Sequence, residues 1–196
     1  MRSFHPVDPK LVAREYTNKQ YEIGEKGEIY LPKAKIWLGG VFEHDVIRNG
    51  KSLGLCRDSN IVVNEGLNSI LNIMFHGSTQ ITTWYVGIFE GNYTPVATDT
   101  AANITANSTE STAYNESTRV AYDEAAASGQ SITNSASKAT FTMNATKTIY
   151  GAFLVSASAK SATTGTLFAA SKFSAARSVV NLDSLLLTYT LSAADA

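Results

Sequence analysis

The chain has 196 residues, 44% of them hydrophobic, and a formal net charge of -1. That length suits one domain, or one domain with an extended arm, and the apolar share is enough for a real core. A charge so close to zero argues against nucleic acid or an anionic membrane as the main partner, and the absence of any run of about 18 apolar residues argues against a membrane-spanning helix.

A single cysteine, Cys56, excludes an internal disulfide. With Pro6 and Pro9 where an export signal would need an apolar stretch, the expectation is synthesis in a reducing cytoplasm. Residues 1–65 carry 19 of the 33 charged residues, so the rest of the surface is hydrated mainly by Ser, Thr and Asn.

Residues 1–35 show no sustained apolar period. Pro6, Pro9, Gly24, Gly27 and Pro32 interrupt them, yet Phe4, Val7, Leu11, Val12, Tyr16, Tyr21, Ile23, Ile29, Tyr30 and Leu31 are spread through them. Such a segment cannot offset its ordering entropy alone. It either packs back on its own domain or orders as an arm against a neighbouring subunit. The division expected is an arm over 1–35 and a β-sandwich domain over 36–196.

Lys35–Asp58 reads as a β-hairpin. Val41–Arg48 leads into Asn49-Gly50, whose residues accept the positive φ of a type I′ turn, and Lys51–Arg57 returns. Asn64 then stands where a helix cap belongs. Leu67, Ile70, Leu71 and Met74 follow at i, i+3, i+4 and i+7, Phe75 widens that stripe, and Gly77 ends it.

The next strand, Thr82–Phe89, sends Trp84, Val86 and Ile88 to one side and Tyr85 and Phe89 to the other. Apolar residues on both sides make it a central strand, or one whose outer face meets a partner. On the second reading Tyr85 and Phe89 are candidate contacts, because aromatics are enriched in interface cores.

Residues 98–129 have weak patterning. A helix is conceivable at Glu124–Ala127, before Ser128-Gly129. The last third is clearer, with strands at Ala139–Asn144, Thr148–Val155, Thr166–Phe173 and Leu185–Leu191, and turns at Thr163–Gly165 and Asn181–Asp183. Several short strands at turn-limited spacing, with one short helix, predict a mainly β chain: an antiparallel β-sandwich or jelly-roll-like domain with an extended N-terminal arm.

Reaction chemistry is hard to find. Glu43-His44-Asp45 sets three metal-ligand types in a row, but neighbours on a strand face opposite ways, so at most Glu43 and Asp45 share a side. Cys56 has no histidine close in sequence and reads as a structural thiol. Glu110, Glu116, Asp123 and Glu124 cluster loosely in a hydroxyl-rich loop, which reads as solvated. No nucleophile elbow, phosphate-binding glycine loop or zinc motif occurs. No catalytic residue, cofactor or metal is expected.

Six stretches, NIVVNEGLNSIL (60–71), TTWYVGIFEGNYTPVATDTAANI (82–104), AYNESTRVAYDEA (113–125), ATFTMNATKTIYGAFLVS (139–156), TGTLFAASKFSAARSVVN (164–181) and LLLTYTLSAADA (185–196), resemble small structural proteins of tailed bacteriophages. The resemblance implies a non-enzymatic virion protein, foremost a decoration or cement protein on the capsid exterior, made in the host cytoplasm. Tail, collar and fibre-attachment components share the same texture, and a carbohydrate-binding β-sandwich is a further alternative. The implied partners are the major capsid protein and copies of the chain itself, as a homotrimer, with no nucleic acid, membrane or small-molecule substrate. The candidate interface is Phe4, Val7, Leu11, Tyr16, Tyr21, Ile29, Tyr30, Tyr85 and Phe89.

Overall fold

The computed structural model describes residues 22–23, 29–30 and 36–195. The chain divides into two units, residues 38–193 and residues 1–37 with 194–196. In the smaller unit, β1 (Glu22–Ile23) pairs antiparallel with β2 (Ile29–Tyr30). The arm expected over 1–35 otherwise lies outside the described residues.

The larger unit is mainly β. One sheet has the order β10–β13–β3–β4, formed by Ala139–Thr142, Ser184–Asp195, Ile36–Arg48 and Lys51–Ser52; β5 (Cys56–Ser59) also pairs with β3, and β9 (Ser131–Thr133) with β13. The other has the order β6–β12–β11–β7–β8, formed by Ile61–Val62, Leu167–Val179, Lys147–Val155, Trp84–Phe89 and Val120–Tyr122. Both sheets are built from antiparallel pairings.

The Asn49-Gly50 hairpin forms as expected, with φ of 50° and 73° at its two corner residues. Its return is broken, however: Leu53–Leu55 leave the ladder between β4 and β5, and Leu53 and Leu55 are exposed. Past that interruption His44 stands opposite Cys56, and Phe42 opposite Asp58.

The main core lies between the sheets. Phe42, Val46, Phe141, Leu185, Leu187 and Tyr189 come from one, and Val86, Ile88, Ile149, Leu154, Phe168 and Phe173 from the other. The period-2 pattern of β10 and β13 places these side chains inward, as their sequences require.

The second sheet is buried on its other face as well. Phe89, Phe153, Val155, Leu167 and Ala170 pack there with Val63, Ala101 and Ile104. The cover is the segment following β7, which carries a one-turn helix at Ile104–Ser108. Thus Phe89, expected at a subunit contact, is fully buried within the chain's own fold. The two-sided apolar pattern of β7 reflects a strand between β11 and β8 with material on both faces.

Two helices occur among the described residues, not one. The first, α1, runs Asn64–Phe75, and α2 is Ile104–Ser108. Asn64 does not cap α1 with its side chain: Val63 holds the cap position, and the Asn64 amide donates to the Ala97 carbonyl at 2.9 Å. Gly77, with φ of 72°, lets the chain close back, and the Ser78 amide reaches the Asn72 carbonyl at 3.1 Å. Glu124–Ala127 is not helical; Ala125 instead donates its amide to the Thr133 carbonyl at 3.0 Å.

Candidate interaction surface

Helix α1 seats on β12 through Gly66. A Cβ there would lie 2.4 Å from the Phe168 carbonyl oxygen, so only glycine permits this approach. At 100° per residue, Gly66, Ile70 and Ile73 form one stripe. Gly66 is buried, and Ile70 and Ile73 are half-buried. Glu65 locks the start of the helix by accepting from the amides of Ala101 at 2.8 Å and Leu167 at 2.7 Å.

Of the expected apolar stripe, Leu67, Ile70, Leu71 and Met74 with Phe75 beside it, Ile70 packs against the core; Leu67, Leu71, Met74 and Phe75 lie about 125° around the helix from Gly66 and are exposed. The helix therefore has two apolar faces, and the fold uses one. A sequence signal existed: Gly66, Ile70 and Ile73 keep the same i, i+4, i+7 spacing, and a glycine inside a helix marks a close approach. No Asp, Glu, Lys or Arg occurs between Glu65 and Glu90, so the exposed face is also uncharged.

Two kinds of concavity flank the helix. A groove of about 650 Å³ is lined by Asn68, Ser69, Asn72, Thr79, Thr98 and Thr100, together with Glu65, Asp99, Ile73 and Ile81. Two smaller pockets share Gln80, Ile81, Trp84 and Phe168: one includes Ile70 and Met74 of the helix, the other Glu124, Ile132 and Leu191.

The buried ionisable groups serve the fold. Arg119 and Glu110 form a buried bidentate pair, with Nε to Oε1 and Nη2 to Oε2 both 2.8 Å. The same guanidinium donates to the carbonyls of Ala157 at 2.9 Å and Ala162 at 3.1 Å. Glu110 also accepts the Ser161 amide at 2.9 Å. Four of the five guanidinium N–H groups are thereby used. Arg48 holds Asp183 at 2.7 Å, and that hydrogen bond keeps the Asp183 carboxyl below its usual range.

His44 comes nearest to a reactive arrangement. It is buried, stacks on Phe173 with ring centroids 3.7 Å apart, and has Nε2 2.8 Å from Asp58 Oδ2. Burial would raise the Asp58 carboxyl, but hydrogen bonds from His44 and the Ser174 amide hold it below the ordinary value. An ionised Asp58 only accepts, so Nε2 carries the proton and Nδ1 is the bare nitrogen. Nδ1 is buried without a partner, and burial pushes the His44 pKa down against the pull of Asp58. Cys56 accepts from Arg177 Nη1 at 3.1 Å. Glu43 is on the opposite face, paired with Arg57 at 3.0 Å. Among the described residues no group of three or more His, Cys, Asp or Glu is arranged to hold a metal.

The other carboxylates of the loose cluster are dispersed in role. Glu116 accepts the Thr142 amide at 3.1 Å, and Asp123 meets Ser137 at 3.5 Å. Of the candidate interface, Phe4, Val7, Leu11, Tyr16 and Tyr21 lie outside the described residues. Ile29 and Tyr30 form β2. Tyr85 is half-buried, and Phe89 is buried. The outer face of α1, with Leu67, Leu71, Met74 and Phe75, is exposed and was not among the candidate contacts. No helix among the described residues is long and apolar enough to cross a membrane. No protein-family model and no curated protein matches the chain.

Proposed function

We propose that the chain is a non-enzymatic structural protein of a tailed-phage particle, a decoration or cement protein that binds the capsid exterior through its major capsid protein. The observation that carries this reading is the uncharged apolar outer face of α1, which the larger unit leaves exposed. A face of that kind on a surface helix marks a protein–protein contact. The β-sandwich of the jelly-roll-like kind supplies a stiff body, residues 1–35 supply a segment for neighbouring subunits, and a homotrimer repeats both. Repetition over a shell raises effective affinity without strong single contacts.

The test is cryo-electron microscopy of capsids from the phage that encodes the chain, with and without added full-length protein. Density repeated over every capsomer supports the reading. Density at one vertex moves the chain to a tail, collar or fibre-attachment role. Absence from the particle overturns the reading. A second reading, carbohydrate binding, is favoured by the Asn-, Ser- and Thr-lined groove beside α1; a glycan array without hits removes it.

A further inference from the structure

We propose that copies of this chain meet through the outer face of α1, helix against helix. The inference rests on the reading of that face as an assembly contact, not on the identity of the particle; it gives the face to a second copy and leaves contact with the capsid to other surfaces of the chain.

Four observations carry it. Leu67, Leu71 and Met74 are spaced by four and then three residues, the d–a–d rhythm of a helix–helix seam, with Phe75 beside it. The seam belongs to a helix already anchored by Gly66 and Glu65, so presenting it costs little further order. The four residues are 39%, 55%, 67% and 81% exposed. For residues of this size that leaves about 450–500 Å² in water, and two such faces together remove at most about 900 Å², under the roughly 1,000 Å² floor of a stable interface, so the contact is a weak one that forms at high protein concentration.

Charge selects the occupant. The stretch from Gly66 to Phe89 has no Asp, Glu, Lys or Arg, so nothing on it steers a charged partner and nothing repels an identical copy. Leu71 lies near the middle of the seam, so a symmetric pairing brings the Leu71 side chains of the two copies close together.

The experiment measures the mass of the full-length protein by light scattering at about 100 μM. Wild type should run as a multiple of 21.0 kDa. Leu71→Glu and Leu71→Lys should each run as monomers with unchanged circular dichroism, since the site is exposed. Mixing the two variants should restore association, because unlike charges then face each other. A second arm places Met74→Cys in a Cys56→Ser background, where a short bis-maleimide should link copies while the exposed control Ala136→Cys should not.

A monomeric wild type, unchanged association of both Leu71 variants, or failure of Met74→Cys to link overturns the inference. Association abolished by Leu11→Ser but not by Leu71→Glu also overturns it, in favour of the N-terminal segment. A monomer that still decorates capsids leaves the proposed function standing, whereas an α1-linked oligomer that never binds particles removes the function and keeps the inference.

Discussion

Replacing Arg119 with Met tests whether the buried ion pair holds the second sheet's cover in place. The substitution keeps apolar volume but strands Glu110, which retains only the Ser161 amide. It also leaves the carbonyls of Ala157 and Ala162 without their donor. Removing one partner of a buried pair costs about 3–5 kcal/mol. For a urea m-value of about 2–3 kcal/mol/M, the unfolding midpoint should fall by about 1–2 M. Equilibrium urea unfolding, followed by tryptophan fluorescence at one fixed protein concentration, measures this shift. Adding Glu110→Met removes the stranded charge, so the double variant should be more stable than R119M alone. A loss below about 1 kcal/mol in R119M, or a double variant no better than the single one, would refute the reasoning.

Gly66→Ala should destabilise by about 1–2 kcal/mol, because the clash with the Phe168 backbone outweighs the helix-propensity gain of about 1 kcal/mol; an unchanged or raised melting temperature would show that α1 shifts freely on β12. Asn60→Ala removes the acceptor of the Gly40 amide at 2.7 Å and the donor to the Tyr189 hydroxyl at 2.9 Å, and should cost about 1–3 kcal/mol by urea denaturation. The folded-state pKa of His44 is depressed, so its share of stability is complete above the ordinary value of 6.5 and declines as pH falls from there toward the folded value. Melting temperature should drop on acidification below that point, and His44→Gln should flatten the slope; a parallel pH profile in the variant counts against the assignment.

Much of the β framework was legible because single segments carried it. Asn49-Gly50 needs only its own positive φ values, and β13 needs only the alternation of Leu185, Leu187 and Tyr189. The contacts that join distant segments were not. The His44–Asp58 pair depends on the ladder resuming past Leu53–Leu55. The Arg119–Glu110 pair joins a strand end to a loop, and no local period marks either residue. Periodicity placed Phe89 opposite Ile88 but could not say that Ala101 and Ile104 would cover it. On α1 the wide apolar arc contained two stripes, and the expected i, i+3, i+4, i+7 set straddles them: Ile70 packs against the core while Leu67, Leu71 and Met74 are exposed. Gly66 decided the matter, since the helix sits closest where the side chain is smallest.

The cover over the second sheet has a practical corollary for labelling. Residues 96–108 contain little regular structure, yet Ala101 and Ile104 plug a dry cluster and Asp99 receives the Tyr93 hydroxyl and the Val96 amide. An affinity tag or fluorescent insert grafted there would pry the plug out, although the weak apolar patterning of the region reads as permissive. The Asn49-Gly50 corner and the exposed Ser135–Lys138 turn are the places where foreign sequence can be carried without opening the interior.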